Sequence, residues 1–377
     1  MKRIAALDML RGYALVCIML DHMPIGMLRN LTLTNFAVFD AAELFVLLSG
    51  FLVGMVWVKV EARQGLRAAQ LRFLRRAVQV WLALIAGAIL LALFSALLFK
   101  LQLNHTAVWF QYARWIVEHP IGYVATVALM WMQPNLLDVL ALYVLLIATV
   151  PLTVPFLLRW PWLAMAVSVA IWIFAQPLNA LIPNQRPGPG LLFNPFGWQL
   201  LFFAGVAMGA FRDRIMPVLR RHSALLTWAS VGVLLFSLVI VVSWRIGAPA
   251  KPVSLFLRQI TGGIDKWSLD FVRFITILAA SWIVAVPLAR PFAWMAATVP
   301  GEALAEIGRG GLFSFIVCVM LSIWGDALDM TVQPGPANLW LRLAIDIWLI
   351  TAFWVIAAIW MRREGWLPPL RARLGLD

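Results

Sequence analysis

Ten stretches of this chain are apolar for long enough to cross a bilayer, and this constrains the fold more than any other feature. They fall near residues 5–28, 36–58, 77–99, 136–158, 162–182, 196–211, 224–244, 271–289, 304–325 and 339–361. A hydrocarbon core about 30 Å thick needs about 20 apolar residues in a helix that rises about 1.5 Å per residue. Backbone polar groups must be satisfied internally there, so helices are the natural way across. The sequence predicts an all-α, polytopic transmembrane bundle of about ten helices, forming one domain over residues 1–377. A further apolar piece at 121–132 reads as re-entrant or interfacial. Composition agrees: 63% of residues are hydrophobic and 12% charged, where a soluble domain is about a quarter charged.

The net charge of +13 raises nucleic acid as a partner. The basic residues sit instead in short clusters at the ends of apolar runs, the pattern of a membrane protein with its positive loops inside. With the N-terminus inside, the inner segments hold 18 Lys and Arg and the outer ones 9, which predicts cytoplasmic termini, a lipid bilayer as partner and no nucleic acid. Lys2 and Arg3 ahead of an apolar run resemble a signal peptide. Asp8, Arg11, Asp21 and His22 interrupt that run, so it reads as an uncleaved first span. Cys17 and Cys318 lie in separate apolar runs without a nearby Cys, which excludes a metal or redox motif and leaves two small buried hydrophobes.

Ionisable groups at membrane depth are costly and mark working sites. The first two runs carry six: Asp8, Arg11, Asp21, His22, Asp40 and Glu43. Arg11 and His22 are eleven residues apart, about 20° beyond three helical turns, so they share a face and lie about 16 Å apart along the axis. Asp8 and Arg11 are spaced to pair, and Asp40 and Glu43 share a face of the second helix. Asp21 lies about 100° round the helix from His22, so Glu43 is the better-placed carboxylate to meet the imidazole. The segment 59–76 is a basic loop in which Arg72 and Arg75, with Arg76, stand where the third helix begins. They read as a polyanion clamp or as ordinary inside anchors. Asn135 is a candidate helix N-cap, with Asp138 favouring the dipole in the first turn. Gly50 with Gly54, and Gly205 with Gly209, suit close helix packing. The outer segment 100–135, with Asn104 and His105, is a candidate cover, and the outer segment 183–195, with Arg186 and several Pro and Gly, is a turn-rich loop. Asp265, Lys266, Asp270 and Arg273 pair among themselves or line an outer vestibule. Arg309 is a membrane-embedded cation flanked by Gly308, Gly310 and Gly311.

Several of these pieces fall in a recognisable order. Leu7-Asp8-Met9-Leu10-Arg11-Gly12 leads to Asp21-His22, and Asp40-Ala41-Ala42-Glu43-Leu44-Phe45 runs into Ser49-Gly50-Phe51. Then come Arg72-x-x-Arg75, Pro134-Asn135-Leu136-Leu137-Asp138 through Tyr143, Asn194-Pro195 through Trp198-Gln199, Asp265-Lys266 and Gly308-Arg309. Together they resemble the OpgC family, within the type-3 membrane acyltransferase superfamily, over nearly the whole chain. Ala141 and Gly310-Gly311 depart from the family pattern.

The resemblance implies an inner-membrane O-acyltransferase with no permanently bound cofactor. Its donor would be a cytoplasmic acyl-CoA, succinyl-CoA by resemblance, and its acceptor a hydroxyl of a periplasmic glucan. His22 would be the general base, since imidazole titrates near neutrality, assisted by Asp21 or Glu43. Arg11, Arg72, Arg75 and Arg76 would hold the CoA phosphates; Asp40, Asp138, Gln199, Lys266 and Arg309 would contact substrate. The rival reading is a transporter or channel in which Asp21, His22 and Glu43 relay protons. No internal repeat supports it.

Overall fold

The computed structural model describes residues 4–103, 107–183, 190–332, 335 and 338–374. Lys2, Arg3, Asn104, His105, Arg186 and the turn residues 184–189 lie outside the described residues. The helices are α1 (Ala5–Asp21), α2 (Ala41–Gln64), α3 (Leu66–Lys100), α4 (Ala107–Glu118), α5 (Pro120–Ala128), α6 (Asp138–Arg159), α7 (Pro161–Ile173), α8 (Ala175–Ala180) and α9 (Pro195–Ala210). They continue as α10 (Arg212–Arg221), α11 (Ser223–Ile246), α12 (Lys251–Thr261), α13 (Phe271–Ala285), α14 (Ala289–Met295), α15 (Val299–Arg309), α16 (Leu312–Thr331) and α17 (Leu339–Leu374). Among the described residues there is no strand.

Among the described residues six helices are long and apolar enough to cross a membrane: α2, α3, α6, α11, α16 and α17 over Leu339–Arg363; α13 and α14 make a seventh if taken as one broken span. Other apolar windows fall on shorter helices, with 17 residues in α1 and 16 in α9. Two expectations are corrected. The window 304–325 is cut at Gly310–Gly311, where Gly311 has φ +57° and ψ −120°, a conformation that a Cβ disfavours. The basic segment 59–76 is not a loop. It is helical on both sides of Gly65, whose φ is +84°, so Arg72, Arg75 and Arg76 lie beyond the first turn of α3.

The chain divides into two compact units, residues 1–32, 94–110 and 289–377, and residues 33–93 and 111–288. In the second, α2 and α9 are interlocked by the glycines expected to pack helices. A methyl group on Gly50 would stand 2.2 Å from the Phe202 carbonyl oxygen, and one on Gly54 2.1 Å from that of Val206. In return, Gly205 and Gly209 abut the Leu47 and Phe51 oxygens, at 2.5 and 2.1 Å. Four small residues thus bring two backbones into contact, which dispersion forces favour where lipid offers no hydrophobic drive. Gln199 ties α9 to α7: its amide donates to the Ser168 carbonyl at 2.7 Å and accepts from Ser168 Oγ at 2.6 Å.

In the first unit α1 crosses α15 by the same means. A methyl on Gly12 would meet the Leu304 oxygen at 1.8 Å, and one on Gly308 the Asp8 oxygen at 1.9 Å. Met9, Ala296 and Ala305 form an apolar cluster beside this crossing. Buried Cys318 donates to the Leu15 oxygen at 3.2 Å, joining α16 to α1. Cys17 and Cys318 are both buried, as small hydrophobes would be.

Candidate active site

Pro24 stops α1. It disfavours the helical conformation for Met23, the residue before it, and its ring cannot continue the turn. His22 becomes the C-cap residue, exposed at the surface of its unit. Its Nδ1 lies 2.7 Å from the Ile18 carbonyl oxygen. A carbonyl only accepts, so Nδ1 carries the proton and, in the neutral ring, Nε2 carries the lone pair. The same bond satisfies one of the last-turn carbonyls.

The segment after His22 is pinned at both ends. Asp21 Oδ1 accepts from Thr32 Oγ1 at 2.5 Å, and Leu28 N donates to Asp346 Oδ2 of α17 at 2.7 Å. Half-buried Arg11 lies on α1 three turns before His22. Asp8 meets Arg309 of α15 at 3.8 Å, so the embedded cation of Gly308-Arg309 stays within this helix crossing.

The second unit holds the other carboxylates. Asp40 is the N-cap of α2: its side chain accepts from Ala42 N at 2.8 Å, while Glu43 Oε2 accepts from Asp40 N at 3.0 Å. This reciprocal arrangement is a capping box with acidic residues at both positions. Two cations neutralise it. Lys266 Nζ lies 2.6 Å from Asp40 Oδ2, and buried Arg273 grips Glu43 Oε1 through Nε and Nη2. Burial alone would raise the Asp40 pKa. The Lys266 ammonium and the Arg273 guanidinium overturn that and hold it well below the usual carboxylate range. The structure thus gives Glu43 to Arg273. Arg273 is itself a residue that sequence reasoning grouped with its neighbours Asp265, Lys266 and Asp270 instead.

Lys266 is delivered by a loop that packs on the Asn194-Pro195-Phe196-Gly197-Trp198 turn. Asn194 caps α9 through Phe196 N at 3.0 Å, Gly197 approaches the Ser268 backbone, and Trp198 Nε1 donates to the Trp267 oxygen at 3.0 Å. Lys266 Nζ also lies over the Phe193 and Trp267 rings, at 5.8 and 5.5 Å. The turn thus shapes the Lys266 loop, while Gln199 is bonded to Ser168 of α7.

Arg72 and Arg75 are exposed on α3, and half-buried Arg76 reaches Gln79 at 3.5 Å. Asp138 is buried in the first turn of α6, where its Oδ1 accepts from Val139 N at 3.0 Å. Asn135 is not the cap that its sequence context suggests. The N-cap position is Leu137, and the Asn135 backbone N–H donates to the Tyr112 hydroxyl at 3.3 Å. Among the described residues no group of three His, Cys, Asp or Glu is placed to hold a metal ion. Residues 3–364 match the protein family described as OpgC protein. No curated protein and no solved structure matches the chain.

Proposed function

The chain belongs to the OpgC family, which points to a multi-pass membrane acyltransferase of glucan modification, and from that membership we propose its reaction. An acyl group, succinyl in this reading, passes from cytoplasmic acyl-CoA to a hydroxyl of a periplasmic glucan. His22 Nε2 takes the hydroxyl proton as that oxygen attacks the thioester carbonyl carbon. The new ester C–O bond forms as the C–S bond breaks, and the imidazolium returns the proton to the departing thiolate. No oxidant or reductant is needed. The observation that carries this reading is the Nδ1 contact to the Ile18 oxygen, which commits the ring to the tautomer a base requires.

Arg11, Arg72, Arg75 and Arg76 hold the CoA phosphates, for which guanidinium forks are suited. The termini are cytoplasmic and the membrane is the inner one, in line with the excess of inner Lys and Arg. Asp21 supports His22, because Glu43 is already engaged by Arg273 and the Asp40 backbone. Lys266, on Asp40 at the head of α2, and Arg309 are the cations available to a succinyl carboxylate. Asp138 and Gln199 act indirectly, by shaping α6 and α9. The test is purified full-length protein in lipid nanodiscs with succinyl-CoA and unmodified glucan. The expected result is release of free CoA thiol matched by a succinyl mass increment on the glucan. Glucan of unchanged mass, under conditions where the protein is folded, contradicts the proposal.

A further inference from the structure

The first unit buries a second set of charges that the proposed chemistry does not use. Asp326 and Asp329 lie three residues apart on α16; Arg342 and Asp346 lie four apart on α17, which packs against it. The relative exposures of Asp326, Asp329 and Asp346 are 1%, 0% and 0%, and that of Arg342 is 9%, so bulk water does not solvate them. Asp346 spends one oxygen on Leu28 N. Its other oxygen, both oxygens of Asp329, and Arg342 Nε have no hydrogen-bond partner among the described residues. Buried polar groups are nearly always paired, and an unpaired buried charge is costly.

These orphaned atoms converge on the segment just after His22. A methyl group on Gly26 would stand 3.0 Å from Asp346 Oδ1 and 3.5 Å from Asp329 Oδ2. Met23 lies against Gly325, one turn before Asp329 on α16. The cluster therefore abuts the segment between the candidate base and its Leu28 anchor.

The unmet bonds define the ligand. Three carboxylate oxygens need donors and one guanidinium N–H needs an acceptor. A simple anion is repelled by the carboxylates. A simple cation meets the guanidinium, and no metal-binding group of three is present among the described residues. A hydroxyl both donates and accepts. We propose that Asp329, Asp346 and Arg342 form a subsite for the sugar hydroxyls of the acceptor, so that the segment they share with His22 couples acceptor binding to the base. This rests on the acyltransferase reading.

The test compares wild type with Asp329→Asn and Asp346→Asn in nanodiscs, using unacylated glucan as the probe. Glucan binding is measured by calorimetry without donor, and initial rates give KM for glucan and for succinyl-CoA separately. The expected result is a rise of tenfold or more in glucan Kd and KM, with the succinyl-CoA KM within twofold of wild type. The Asp329 carboxylate accepts no hydrogen bond from the described residues, so its Asn variant tests the subsite even if Asp346→Asn fails to fold. If wild type acylates glucan and Asp329→Asn keeps its glucan Kd and KM, the carboxylates hold water only and the inference is overturned. An equal rise in both KM values overturns it too, as a structural effect. If wild type neither binds nor acylates glucan, the functional reading falls, and this inference with it.

Discussion

At the scale of single residues, charged side chains separate into those the fold consumes and those it leaves exposed. Glu43 belongs to the first kind. Removing Glu43 leaves Arg273 only its 3.5 Å contact with Asp40; breaking a buried pair costs about 3–5 kcal/mol, whereas replacing both partners by apolar groups is far milder. Glu43→Ala is therefore expected to lower the thermal midpoint sharply and Glu43→Ala/Arg273→Met to recover much of the loss, by melting in nanodiscs. A double variant no more stable than the single one contradicts a structural pair. Arg72 and Arg75 are exposed on α3 and are the residues proposed above to hold the acyl-CoA phosphates. Arg72→Ala/Arg75→Ala is expected to raise the acyl-CoA KM by about tenfold or more, as the loss of at least about 1.4 kcal/mol of phosphate contacts requires. The glucan KM should stay near wild type, a split that steady-state kinetics reads directly.

At the scale of elements, the α2–α9 contact is fixed by backbone approach, not by side-chain volume. Gly54→Val places branched carbon where a methyl group would already be 2.1 Å from the Val206 oxygen. Overpacking of this kind costs about 1–3 kcal/mol or more, so the variant should melt well below wild type, while Gly232→Val, with open space around its Cβ position, should not. These glycine pairs are legible in the sequence because close packing in lipid demands small residues four apart. The capping role of Asp40 and Glu43 is harder to see, because membrane-depth carboxylates point to catalysis first, although Asp with Glu three residues later carries the signal. The break at Gly310–Gly311 is hidden inside a hydropathy window, which averages across a turn. The cluster of Asp326, Asp329, Arg342 and Asp346 is equally hidden: each residue sits singly in or beside an apolar run, and only the packing of α16 on α17 assembles them.

At the scale of the whole molecule, the acid limb of stability should report the Asp40 network. A carboxyl whose folded pKa is depressed contributes fully above its unfolded value of about 4, and that contribution is lost as pH falls through the lowered folded value. The gap in thermal midpoint between wild type and Asp40→Asn should be widest near pH 7 and narrow as pH drops below about 4; a gap independent of pH contradicts the charge network. The all-helical, multi-pass character is legible from hydropathy alone, since lipid leaves few alternatives. The division of the chain into two compact units is not, because both are equally apolar. The central claim is that His22 is the base of glucan acylation, and mass spectrometry of periplasmic glucans tests it most directly. Cells lacking the protein would be complemented with wild type or with His22→Ala, each inserted to equal levels. The account predicts that wild type restores an acyl mass increment and that His22→Ala lowers it by about 10²–10⁴-fold in rate, leaving the glucans essentially unmodified. Equal restoration by both proteins would contradict it.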